Sequence, residues 1–211
     1  LGIDGPFLSL WRAPTENDLI RTMDGQSTKP GARWIADGLN KLTGRWRELS
    51  GTSGENGAPG NRLGGTGENG APRSAHAAGG VTVEGVYSVD ALERGRCRLT
   101  LDPPGEGGWQ RLQIEIEVAE EILDLPRVGL RFHLPEGYER LSWYGRGPQE
   151  CYPDRANGYP LGLWRSSIAD QYVPYIVPQE HGGHSDTRWL SIAAERDGAG
   201  AEGGNAAFHL A

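Results

Sequence analysis

Four stretches of alternating apolar and polar residues constrain this chain most: Val81-Thr-Val-Glu-Gly-Val-Tyr-Ser-Val89, Cys97-Arg-Leu-Thr-Leu101, Leu112-Gln-Ile-Glu-Ile-Glu-Val118 and Val128-Gly-Leu-Arg-Phe-His-Leu134. A period of two sends every second side chain to the same face of a strand, so each stretch predicts a strand with one buried and one wet face. No connection between them is long enough for a crossover helix. The expected architecture is therefore an all-β sandwich of antiparallel sheets. Composition agrees: Gly fills 33 of the 211 positions, about twice its usual share, which favours turns and strands over long helices.

Other segments are less regular. Residues 7–18 run from an apolar stretch into Arg12-Ala-Pro-Thr-Glu-Asn-Asp18, where Pro14 stops regular structure and the polar run is turn and capping chemistry. Between 31 and 42, Trp34, Ile35, Leu39 and Leu42 are spaced to share one side of a short helix, against which Gly38 counts. Residues 50–80 are low in complexity: Gly-Glu-Asn-Gly-Ala-Pro occurs at 54–59 and again at 67–72. Two polar, Gly-rich copies cannot stack as a solenoid, so a disordered surface insertion is expected.

Charge and cysteine content exclude several function classes. A net charge of −7 offers no basic footprint for nucleic acid. Cys97 and Cys151 are too few for a disulfide scaffold and match no zinc spacing; they read as free, buried thiols of a reducing compartment. Residues 1–6 lack the basic and apolar regions of a signal peptide, and no stretch has the ~18 apolar residues of a membrane span. Leu1 stands where an initiator Met would, and Asn205-Ala-Ala-Phe-His-Leu-Ala211 reads as the opening of a strand, so a fragment is expected. The seven Trp leave two uses open, core anchors or stacking platforms for sugar rings.

The chemistry-bearing residues are concentrated in the last third. Trp143-Tyr-Gly-Arg-Gly-Pro-Gln-Glu-Cys-Tyr-Pro-Asp-Arg155 brings Arg146, Glu150, Asp154 and Arg155 within ten positions. Arg pairs bidentately with carboxylates, so a fixed ionic network is the favoured reading, and a polar site holding sugar hydroxyls is the alternative. Pro148 is placed to open a helical turn. Further on, Asp170-Gln-Tyr-Val-Pro-Tyr-Ile-Val-Pro-Gln-Glu-His-Gly-Gly-His-Ser-Asp-Thr-Arg-Trp189 predicts an ordered, non-repetitive loop. Its Glu180, His181, His184 and Asp186 invite a metal site or an acid/base pair. The first lacks a clear third ligand, and the second needs both groups in one pocket.

Three of these segments carry a resemblance. Leu10-Trp-Arg-Ala-Pro-Thr-Glu-Asn-Asp18, Tyr144-Gly-Arg-Gly-Pro-Gln-Glu-Cys-Tyr-Pro-Asp-Arg155 and Asp170-Gln-Tyr-Val-Pro-Tyr-Ile-Val-Pro-Gln-Glu180, continuing to Arg188-Trp189, resemble the signatures of the C-terminal domain of family 2 β-galactosidases, in the same order. The Gly-Glu-Asn-Gly-Ala-Pro insertion is not part of that pattern. The resemblance implies an antiparallel supersandwich related to galactose mutarotases, spanning 1–211 and incomplete at its C-terminus. It also implies a parent enzyme that hydrolyses terminal non-reducing β-D-galactosides, lactose among them, with retention. Such hydrolysis needs two carboxyl groups about 5–5.5 Å apart. In this family both are glutamates of a separate (β/α)₈ barrel, and no part of this sequence reads as one.

No catalytic residue is therefore expected in this chain. Arg12, Asn17, Asp18, Arg146, Glu150, Asp154, Arg155, Glu180 and Arg188 are expected to be scaffold or active-site-rim residues. No metal or cofactor is expected here, while Mg²⁺ and Na⁺ go with the parent enzyme. The implied partners are a β-galactoside bound by the parent, the other domains of the same polypeptide and further copies in a homo-oligomer, with no nucleic acid and no membrane. A cytoplasmic, bacterial location is expected. Two positions depart from the family pattern: Cys151 stands where Asn is frequent, and His184, a titratable group, where Arg is common. Two other functions remain as alternatives, a stand-alone carbohydrate-binding module and a mutarotase-like aldose epimerase with a Glu–His pair.

Overall fold

The computed structural model describes residues 4–19, 29–51, 80–194 and 207–211. Most of the insertion at 50–80 lies outside the described residues. The chain divides into two compact units, one over Asp4–His133 and the other containing Leu134–Ala211. All strand pairs are antiparallel, and the fold is all-β with a few short helical turns.

In the first unit, strands β2 (Thr43–Gly51), β3 (Val81–Val89), β4 (Leu92–Leu101) and β5 (Leu112–Val118) form a meander in that order. A second sheet pairs β1 (Asp4–Ser9) with β6 (Gly129–His133), matching Leu8 to Leu130. Alternation explains how the two meet. Val81, Val83 and Tyr87 of β3, with Cys97 and Leu99 of β4, pack with Leu8 and Leu10 in one core, which Leu130 also joins. The Leu8 N–H donates to the Tyr87 hydroxyl at 3.1 Å, tying a backbone group of β1 to the facing sheet. Each fully buried Leu or Val here contributes roughly 1.5–3 kcal/mol relative to exposure. The opposite, wet face carries a charge ladder. Arg47, Glu84, Arg98 and Glu115 are register partners across β2, β3, β4 and β5. Arg47 and Arg98 both reach Glu84, which is only 8% exposed, and hydrogen bonding by Arg47 leads in holding its carboxyl below the usual range.

A short helix, α1 (Glu16–Leu19), precedes α2 (Pro30–Ala36), which opens with Pro30 at a position where a missing N–H costs nothing. The periodicity over 31–42 yields less helix than its spacing suggests. Gly38 takes a left-handed backbone (φ 74°), and Leu39–Lys41 form a separate 3-10 turn. Trp34, Leu39 and Ile122 are buried together, whereas Ile35 is left 50% exposed.

In the second unit, β7 (Tyr138–Arg146), β8 (Leu161–Ser167), β9 (Trp189–Ala194) and β10 (Ala207–Leu210) form a sheet in the order β10-β9-β7-β8. The apolar run at the C-terminal end is a strand paired to β9, with Phe208 opposite Ile192. Trp143 of β7, 2% exposed, is the buried anchor of this unit. Pro148 opens no helical turn; the turn of this segment starts at Pro153 and runs as a 3-10 helix over Pro153–Gly158. Among the described residues no helix is long and apolar enough to cross a membrane.

Candidate functional site

The first motif closes on itself around Asp18. Arg12 grips this carboxylate with both terminal nitrogens, Nη1 to Oδ2 at 2.6 Å and Nη2 to Oδ1 at 3.1 Å. The Thr15 N–H and hydroxyl donate to Oδ2 at 2.7 and 2.9 Å. Burial pushes the Asp18 carboxyl up, but the Arg12 and Thr15 hydrogen bonds outweigh it and leave the pKa below its ordinary value. Arg12 also donates from Nε to the Pro126 carbonyl at 3.1 Å and lies over the Trp34 ring at 5.1 Å. This fork is a rigid joint between the turn and the body of its unit. Asn17, beside it, is exposed.

In the second unit the organising group is Glu150, whose side chain is 8% exposed. Its Oε1 accepts from Arg155 Nη2 at 2.6 Å and from the Tyr175 hydroxyl, and its Oε2 accepts from the Gly182 N–H at 2.8 Å. Burial raises the Glu150 pKa, yet the Tyr175, Gly182 and Arg155 donors together hold it below its usual value. A carboxylate with both oxygens so occupied is an anchor for the loop after β8. Each of its oxygens already holds a donor from this loop or from Arg155.

The ionic network expected among Arg146, Glu150, Asp154 and Arg155 is instead divided. Arg155 pairs with Glu150, but Arg146 turns to Asp186, with Nε to Oδ2 at 2.6 Å. Asp154 is exposed and belongs to neither pair. The backbone explains the choice. Arg146 pairs with no side chain of its own loop; its Nη1 donates to the Ala156 and Tyr159 carbonyls at 2.9 and 2.7 Å, which aims Nε the other way. Main-chain bonds then stitch the second and third motifs together: Cys151 N–H to the Gly183 carbonyl (2.6 Å), Arg146 N–H to Ser185 (3.0 Å) and Arg188 N–H to Tyr144 (2.8 Å). The Arg188 side chain is exposed, and Glu180 is half-buried.

Several residues in this arrangement carried no separate sequence signal. Tyr175 and Gly182 serve Glu150, Ser185 donates to the Cys151 carbonyl at 2.9 Å, and Gln171 meets His184 at 2.6 Å. All lie inside the third motif, so its density of aromatic and polar residues was the available clue. His184 packs its ring on Trp143 at 4.2 Å between centroids. Among the described residues no group of three His, Cys, Asp or Glu could hold a metal ion, so these residues do not fit such a site.

One face of the β8-β7-β9 sheet carries an apolar row. Leu163, Tyr144 and Trp189 are register partners on adjacent strands and are 58%, 41% and 37% exposed. Ile176, in the third motif, is fully exposed. Of the tryptophans, Trp34 and Trp143 are core anchors, and Trp189 lies on an accessible face.

Residues 2–211 match the family described as β-galactosidase small chain. A β-galactosidase of Arthrobacter sp. (strain B7) is 30% identical over 94% of this chain and 18% of its own length. One from Aeromonas hydrophila is 34% identical over 87% of this chain and 16% of its own length. A Kluyveromyces lactis β-galactosidase is 47% identical over 36% of this chain and 7% of its own. The chain spans less than a fifth of the length of these relatives. With a family match over nearly every residue, the chain belongs to the β-galactosidase small-chain family.

Proposed function

We propose that this chain is the part of a β-galactosidase that braces a catalytic barrel and shapes the rim of its active site, within an enzyme that cleaves terminal non-reducing β-D-galactosides with retention. The observation that carries this reading is the state of Glu150. In a family of glycosidases, the most buried acid of the second motif spends both oxygens on Tyr175, Arg155 and Gly182, which suits a scaffold and leaves the two carboxyl groups of the reaction to another part of the polypeptide. The exposed row of Leu163, Tyr144 and Trp189 supports the same reading, since such a row on a sheet is the surface another domain covers. Contact with the galactoside, binding of Mg²⁺ and Na⁺, assembly into a homo-oligomer and a cytoplasmic location belong to this proposal for the whole enzyme.

The test compares two proteins. The longer polypeptide should hydrolyse nitrophenyl β-galactoside and release β-galactose as the first anomer seen by NMR, while the 211-residue chain should give no turnover. Turnover by the purified chain would overturn the scaffold role, and an inverted product would overturn the mechanism. A second reading, a carbohydrate-binding module, is favoured by the neighbouring exposed rings of Tyr144 and Trp189. Quenching of tryptophan emission by millimolar lactose in the chain alone, lost in Trp189→Ala, would select it.

A further inference from the structure

His184 sits at the end of a hydrogen-bond chain whose polarity can be worked out from its first member. The Ser166 hydroxyl donates to the Ser167 carbonyl at 2.9 Å, so its one proton is spent. Toward Gln171 it can then only accept, and the Gln171 Nε2 donates to it at 2.9 Å. This orients the amide with Oε1 toward His184, 2.6 Å from Nε2. The neutral imidazole must therefore carry its proton on Nε2, leaving a lone pair on Nδ1. That Nδ1 is buried and has no hydrogen-bond partner among the described residues.

We infer that His184 is an acid-sensitive clasp: neutral, it ties the loop after Pro178 to the Ala169–Gln171 turn, and protonated, it lets go. A second proton makes Nδ1–H a buried donor in need of an acceptor. The Arg146 carbonyl favours the protonated ring, but it lies outside hydrogen-bonding geometry from Nδ1. The indole face of Trp143 attracts a cation yet supplies no acceptor, and the unmet N–H is the larger effect. Neighbouring charged groups have partners of their own. The Arg146 guanidinium faces Asp186, Glu150 is held by Arg155 and Tyr175, and Asp170 accepts from the Ser167 N–H at 3.4 Å. Protonation is met by withdrawing the ring toward water, which breaks the bond to Gln171 and frees the loop.

Burial pushes the His184 pKa below its ordinary 6.5, against the smaller opposing effects of the Arg146 carbonyl and Glu150. A depressed folded-state value means the unfolded chain takes the proton first. The clasp contributes fully above about pH 6.5 and weakens as pH falls from there through the folded value.

The experiment is a histidine ¹⁵N NMR titration of the full chain from about pH 8 to about pH 4.5, with near-UV circular dichroism following Trp143. The expected result is an Nε2–H tautomer at neutral pH, a midpoint below 6.5 and loss of the tryptophan signal over the same range. His184→Gln should remove the acid step and His181→Gln should keep it. Gln171→Glu, whose carboxylate favours the imidazolium, should raise the midpoint by about a unit or more, and it reports independently if His184→Gln fails to fold. An Nδ1–H tautomer, a midpoint at or above 6.5, an unchanged acid step in His184→Gln or an unmoved midpoint in Gln171→Glu would each overturn the inference.

Discussion

Arg146 and Asp186, forty positions apart, meet with Nε 2.6 Å from Oδ2, while the same guanidinium holds the carbonyls of Ala156 and Tyr159. One planar group thus fixes three chain segments at once: the end of β7, the 3-10 helix that begins within the second motif and the loop before β9. A lysine has the charge without the fork and cannot serve all three directions. Arg146→Lys should lower stability by about 1–3 kcal/mol in urea unfolding. A loss under about 0.5 kcal/mol would mean that the charge alone suffices.

Glu150 makes stability depend on acid. Its folded-state pKa lies below the ordinary 4.5 because donors from Tyr175, Gly182 and Arg155 outweigh burial. For a depressed carboxyl, the stabilisation is present above the unfolded value and is lost as pH falls through the folded one. Stability should therefore decline below about pH 4.5. Glu150→Gln should cost about 1–3 kcal/mol at neutral pH and flatten this decline. Unfolding midpoints measured across the range check both statements.

Gly147 has no room for a side chain. A Cβ there would lie 2.8 Å from Trp164 Cδ1 and 3.0 Å from Trp143 Cζ2. Trp143 is buried, so its ring has nowhere to go. Gly147→Ala should destabilise by about 1–3 kcal/mol. Gly158→Ala, with nothing within 4 Å of its Cβ, should stay within about 0.5 kcal/mol. Thermal melts of the two variants side by side provide the comparison.

Cys97 is fully buried between the sheets of the first unit, and burial pushes its thiol up to about 11. The thiolate is the reactive form. Iodoacetamide at about pH 8 should leave Cys97 unmodified in the folded chain and label it only in denaturant. Mass spectrometry reads the outcome directly. Labelling at the rate of a free thiol would mean that β1 and β6 do not cover the meander.

The strands were the most legible part. β3 and β5 run over Val81–Val89 and Leu112–Val118, the limits their alternation suggests, because the period of two is written residue by residue and needs no distant partner. The wet-face ladder of Arg47, Glu84, Arg98 and Glu115 was hidden for the complementary reason. Each charge is visible in the chain, but only the register of four strands lines them up. A helix over 31–42 was half right: Gly38 entered the left-handed region and ended it at Ala36.

The site shows the same boundary. Arg12 and Asp18 lie six positions apart within one turn, and a short polar run around a proline already confines them to each other's reach. From the chain alone, Glu150 and Asp154 are nearer to Arg146 than Asp186 is. The tertiary structure decided otherwise, since the guanidinium first satisfies the carbonyls of Ala156 and Tyr159, and the loop before β9 brings Asp186 to the nitrogen that remains. The amino-acid sequence by itself determined the all-β class, the family and the motifs in which the candidate residues lie, because alternation and motif are local. Which of those residues touch depends on where separate segments pass in space, and only the folded chain sets those distances.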